Sequence, residues 1–142
     1  MLSADFPMTS SLRPAILCID DDESSLKIRK LLLEVSGYDV FTAVSGADGI
    51  EALATGIAVD LVLLDYLMPG LNGDEVAKQL KQTHPSLPII MFSAFPELPE
   101  EALQSVDFFL QKGDDPVILL DRVAKMVKRK TSQHRISNGS SG

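Results

Sequence analysis

Residues 15–35 read AILCIDDDESSLKIRKLLLEV, and two periodicities follow one another within them. Ala15 to Ile19 is a short unbroken apolar run, the pattern of a strand covered on both faces. Asp20, Asp21 and Asp22 interrupt it. Ile28, Leu31, Leu32 and Val35 then recur at helical spacing until Gly37, a stop signal. A strand that hands over to an amphipathic helix is half of a βαβ unit, and here acidic residues occupy the join.

The same alternation repeats along the chain. Tyr38 to Ala43, Asp60 to Leu64, Pro88 to Phe92 and Asp107 to Gln111 read as four more strands. Ile50, Leu53, Ala54 and Ile57 mark a second helix, and Gly73 to Thr83 forms a third that ends before Pro85. A last helix begins near Asp114-Asp115-Pro116, acidic residues with a proline suited to a first helical turn. It should bury Leu120, Val123, Ala124 and Val127, which leaves Leu119 and Met126 off the core stripe as contact candidates. Its Lys128-Arg129-Lys130 end suits the negative end of the helix dipole. Between the fourth and fifth strands, Pro96 and Pro99 argue against a full helix. Strictly alternating β and α elements call for a parallel sheet with right-handed crossovers and helices on both faces, an open three-layer α/β domain.

The 142 residues suffice for one domain, placed at 14–130 between a leader over 1–13 and a tail over 131–142. The tail ends in Ser137-Asn138-Gly139-Ser140-Ser141-Gly142, the composition of a flexible linker or an expression scar. A net charge of −7 disfavours direct nucleic-acid binding. No run approaches the roughly 20 apolar residues of a membrane span, and no secretory leader is evident, so a cytoplasmic location is expected. The single cysteine, Cys18, excludes an internal disulfide and reads as a small buried hydrophobe.

In open α/β sheets chemistry collects beyond the carboxyl ends of the strands. There this sequence places Asp20, Asp21 and Asp22, then Asp65, then Ser93 and Ala94, then Lys112. Each has an ordinary structural explanation, since Asp and Ser also cap helices. As a set they do not, because clustered carboxylates repel one another and a hard cation relieves the repulsion. Asp21 and Asp65 suit Mg²⁺, which prefers oxygen ligands and keeps several waters. A carboxylate can also attack phosphorus to give an acyl phosphate, with Lys112 and the Ser93 hydroxyl neutralising charge and small Ala94 leaving the approach open.

Four segments at strand ends, Ile16-Leu17-Cys18-Ile19-Asp20-Asp21-Asp22, Leu63-Leu64-Asp65-Tyr66-Leu67-Met68-Pro69-Gly70-Leu71-Asn72-Gly73, Phe92-Ser93-Ala94 and Phe109-Leu110-Gln111-Lys112, carry a family likeness. Over residues 14–130 the chain resembles the receiver domain of two-component response regulators. The resemblance implies a flavodoxin-like, CheY-like sheet of five parallel strands in the order 2-1-3-4-5. It implies Asp65 as phosphoacceptor, with Asp20, Asp21, Asp65 and the Leu67 backbone carbonyl around Mg²⁺, for which Mn²⁺ can substitute. Ser93, Ala94 and Lys112 are implied to bind phosphate, and Ser93 and Phe109 to move together as a switch. The implied partners are a histidine kinase or histidine phosphotransfer protein and a downstream protein or output domain, with a homodimer through the fourth-helix, fifth-strand and fifth-helix face as an option. Such a domain assists its own phosphorylation and is not a turnover enzyme.

Two departures stand out. Family members usually follow the lysine with proline, often in a cis peptide, whereas Gly113 follows Lys112 here; and the fourth-helix region is short. Both motivate an alternative, a pseudo-receiver that binds partners without phosphorylation. A second alternative is a haloacid-dehalogenase-type phosphohydrolase, because Asp20-Asp21-Asp22-Glu23-Ser24 fits D-x-D-x-[ST] and Ser93, Lys112 and Asp114-Asp115 can fill the other motifs. That reading leaves the Asp65 segment unexplained and has no cap to enclose a substrate. Finally, Leu67 and Phe95, two residues beyond Asp65 and Ser93, are apolar and offer an attacking water no hydrogen bond, which predicts slow hydrolysis of the phosphorylated state.

Overall fold

A computed structural model describes residues 13–141. The strands are β1 (Ala15–Ile19), β2 (Asp39–Ala43), β3 (Leu61–Leu64), β4 (Ile89–Ser93) and β5 (Phe108–Gln111). The helices are α1 (Glu23–Val35), α2 (Gly46–Ala54), α3 (Gly73–Thr83), the short α4 (Glu100–Leu103) and α5 (Pro116–Ser141). All strand pairs are parallel, in the order β2-β1-β3-β4-β5, as expected. Residues 1–12 of the expected leader lie outside the described residues. Arg13 is tied down, its guanidinium donating to the carbonyls of Glu34, Gly37 and Tyr38 at the end of α1. Helix α5 runs on past Lys130 into the segment expected as tail, where neither Gly nor Pro intervenes before Gly139 to stop it.

The continuous apolar runs of β1 and β3 have their predicted meaning, for each strand feeds two cores. Ile16, Cys18, Leu61 and Leu63 join Leu26, Leu33, Leu119, Val123 and Met126 on one face of the sheet. Leu17, Ile19, Val62 and Leu64 join Leu53, Val76, Ala77 and Leu80 on the other. Cys18 is fully buried, and desolvation pushes its thiol up to about 12, so it acts as packing and not as a nucleophile.

Three helix faces differ from expectation. On α2, of Ile50, Leu53, Ala54 and Ile57 only Leu53 is buried, Ala54 is exposed, and Ile57 lies beyond the end of the helix. On α1 the buried side chains are Leu26, Arg29 and Leu33, whereas Ile28 and Val35 are 71% and 80% exposed and Leu31 is exposed too. The helix carries two rival stripes at i, i+3, i+7 spacing, and the one with the arginine faces the sheet, where a buried carboxylate, Asp20, receives it. On α5, Leu119 and Met126 are core residues and Ala124 is exposed, because the helix meets the sheet on the Leu119, Val123, Met126 and Val127 face.

Candidate functional site

The acidic residues meet at the carboxyl edge of β1 and β3, which are neighbours in the sheet. Asp20 follows β1 directly, its N–H donating to the Ala43 carbonyl at the end of β2. Asp65 follows β3, its N–H donating to the Ile19 carbonyl. The two backbone bonds bring both carboxylates to one ledge. One carboxylate oxygen from each of Asp20, Asp21 and Asp65 falls within 4.8 Å of the others. Asp22 faces away and caps α1, accepting from the N–H groups of Ser24 and Ser25.

Lys112 closes the site from β5. Its N–H donates to the Ser93 carbonyl at 2.6 Å, and its Nζ reaches Asp20 Oδ2 at 2.6 Å and Asp65 Oδ1 at 3.3 Å. The Lys112–Gly113 peptide is trans, as are all peptide bonds among the described residues, and Gly113 adopts φ +94°. The left-handed glycine turns the chain toward α5 and still leaves the lysine pointing inward. Glycine in place of proline has therefore not removed the lysine from the pocket.

The remaining candidates lie around this centre. The Ser93 side chain is 2% exposed, and its Oγ accepts from the Phe95 N–H at 3.2 Å. Ala94 is exposed beside it. Phe109 pairs opposite Met91 in the sheet and packs, half-buried, against the second core. Leu67 and Phe95 are exposed on the loops after β3 and β4, and the Phe95 ring meets Tyr66 edge-on at 6.3 Å, so the two loops share an apolar rim. Asp114 and Asp115 belong to the start of α5, where Asp115 accepts the Val117 N–H.

Electrostatics distinguish Asp65. Desolvation, followed by the negative charge of Asp20, raises its pKa above the usual carboxylate value, and nearby Lys112 offsets this only in part. A carboxylate held at a cost in a pocket of hard oxygen donors fits a small divalent cation.

One participant escaped sequence reasoning. Arg29 donates to Asp20 Oδ2 at 3.4 Å from the buried face of α1. The available signal was its position between Leu26 and Leu33 at helical spacing, which the stronger Ile28, Leu31, Val35 stripe masked.

The response regulator receiver domain model matches residues 16–124. The chain belongs to the response regulator receiver domain family. It is 36% identical to the alkaline phosphatase synthesis transcriptional regulatory protein PhoP of Bacillus subtilis over 80% of this chain and 48% of that protein. It is 32% identical to the transcriptional regulatory protein CpxR of Escherichia coli K12 over 89% of this chain and 55% of that protein. The receiver thus spans about half the length, or less, of the curated relatives it matches. Among solved structures, response regulator protein TrrA from Thermotoga maritima, in complex with Mg²⁺-BeF, is similar at a TM-score of 0.76 and 28% identity, over 80% of this chain and 98% of that chain. A CheY-like receiver domain protein from Methanospirillum hungatei is similar at a TM-score of 0.78 and 26% identity, over 85% and 98%. Receiver membership replaces the dehalogenase reading, whose Asp114-Asp115 pair serves here at the start of α5.

Proposed function

We propose that this receiver takes a phosphoryl group onto Asp65 from a phosphohistidine of a histidine kinase or histidine phosphotransfer protein. The observation that carries the reading is the joint reach of Lys112 onto Asp65 and Asp20 at the mouth of a three-carboxylate pocket. In the transfer, an Asp65 carboxylate oxygen bonds to phosphorus as the bond from phosphorus to the imidazole nitrogen breaks. Lys112 Nζ then stands beside the new phosphoryl oxygens and offsets their charge. Bound by Asp20, Asp21, Asp65 and the Leu67 carbonyl, Mg²⁺, or Mn²⁺ in its place, would supply the charge neutralisation that phosphoryl transfer requires.

The Ser93 hydroxyl, now bonded to the Phe95 N–H, gains a stronger acceptor once Asp65 carries a phosphoryl group. Its reorientation, with Phe109 following, is the differential contact that shifts the domain toward its signalling shape. An apolar α1 face lies beside the site, with Ile28 and Leu32 lining a cleft of about 260 Å³ that also touches Lys112. A phosphodonor protein that docks there brings its histidine next to Asp65.

Incubation of the chain with Mg²⁺ and a small acyl phosphate, followed by intact mass, tests the transfer. One added phosphoryl group per chain is expected; a folded chain that acquires none supports the pseudo-receiver instead. The apolar rim makes a second prediction. Leu67→Gln and Phe95→Gln place a hydrogen-bonding group where water must approach, and each should speed phosphate loss several-fold in a release time course. Unchanged lifetimes in both variants remove the rim from hydrolysis control.

A further inference from the structure

Burying an arginine is costly unless the charge is paired and its remaining donors are satisfied, yet α1 buries Arg29 at 8% exposure and leaves its neighbour Ile28 in solvent. A turn of the helix by about 100°, one residue, would exchange the two. What holds Arg29 inside is specific. Its Nη1 lies 3.4 Å from Asp20 Oδ2, the oxygen that also accepts from Lys112, and its Cζ stands 4.8 Å from the Phe92 ring centroid. Lys112 Nζ is 6.0 Å from the same centroid, so the Phe92 ring has two cations near it. Asp20 Oδ1 accepts the Asp22 N–H, and both oxygens of Asp20 are thus engaged by the protein itself.

We propose that Arg29 is a resident counter-cation of the acidic pocket, a positioning residue that holds Asp20 together with Lys112 and weakens the pocket's grip on a divalent cation. The inference rests on the reading of Asp20, Asp21 and Asp65 as a cation site. Three carboxylates against Lys112 and Arg29 leave one net negative charge, and without Arg29 they leave two. Arginine does not lose its charge at physiological pH, so its repulsion toward an incoming cation is constant. The receiver gains a pocket that is partly neutralised when empty and that gives up Mg²⁺ readily.

Calorimetric titration of the full chain with Mg²⁺ compares wild type with Arg29→Met, which keeps the stem without the charge, and Arg29→Lys, which keeps the charge. Arg29→Met should bind about ten-fold more tightly, about 1.4 kcal/mol, with Arg29→Lys close to wild type. Arg29→Gln takes the place of Arg29→Met if the latter does not fold. Unfolding in chelator supplies a readout independent of metal: combined with Asp20→Asn, Arg29→Met should cost less than the sum of the single changes. Equal Mg²⁺ affinity in wild type and Arg29→Met, weaker binding in Arg29→Met, or strict additivity of the unfolding costs each overturns the inference and leaves the functional reading intact. Absence of Mg²⁺ binding by wild type removes both.

Discussion

Asp65→Asn abolishes phosphoryl uptake from a small donor and, in chelator at neutral pH, makes the fold more stable. The first effect follows from the nucleophile, because an amide oxygen does not form the acyl phosphate that a carboxylate forms. The second follows from burial. Desolvation, then Asp20, raises the folded-state pKa of Asp65, whereas the unfolded chain titrates near the ordinary value of about 3.9. The folded state therefore prefers the protonated acid. The penalty is absent below the unfolded pKa, develops as pH rises, and is complete above the folded pKa. Asparagine never carries that charge. The melting temperature of the variant in chelator should exceed wild type by several degrees at about pH 7, and the gap should close as pH falls toward about 4. Mg²⁺ should raise the wild-type value, and raise the variant's less, since binding to the folded state alone adds RT ln(1 + [Mg²⁺]/Kd), which is smaller for the weaker site left without the Asp65 carboxylate. An adduct of equal yield on Asp65→Asn would take the acceptor role from Asp65. A lower metal-free melting temperature at neutral pH would contradict the electrostatic account.

Gly73→Ala should be the most damaging alanine substitution among the described glycines, at about 3 kcal/mol, the upper range for overpacking. Gly73 opens α3 and donates its N–H to the Tyr66 carbonyl, pressing the helix start against the loop that carries Asp65. A methyl group there would meet the Asp65 carbonyl oxygen, with the Tyr66 Cα and the Met91 Sδ each at 2.9 Å. Two of those three atoms are backbone and cannot turn aside. Gly49→Ala is the control. Its methyl would press on Cδ1 and Cγ1 of Ile19, a fully buried core side chain, but the three nearest atoms include no backbone, and alanine is the better helix former by about 1 kcal/mol, so a smaller loss than for Gly73→Ala is expected. Urea unfolding of both variants measures the difference, with a fall of roughly 10 °C in melting temperature for Gly73→Ala alone. Equal stability of the two would show that the loop yields, and with it the anchoring of Asp65 to α3.

The strands were legible because their signal is local. An apolar run that must be covered on both faces has nowhere else to go, and four of the five runs shifted by only one residue at an end: Tyr38, Asp60, Pro88 and Asp107 fall just outside their strands, and β4 extends to Ser93. Residues just past each run were bound to reach one edge of a parallel sheet, which is why Asp20, Asp65, Ser93 and Lys112 cluster. Helix faces were harder. Stripes on α1 and α5 each had a rival rotated by about one residue, and hydropathy alone does not choose between them.

The order of apolar runs and acidic residues, a property of the chain read end to end, determined the βα alternation and the edge at which the site forms. How the side chains of that site pair, and that Arg29 joins them, was decided only on folding. Asp20 and Lys112 are 92 residues apart, and the sheet places them 2.6 Å from each other. The same buried carboxylate then selects the face of α1 that carries Arg29, because a desolvated negative charge must find a cation and only the tertiary contact supplies one.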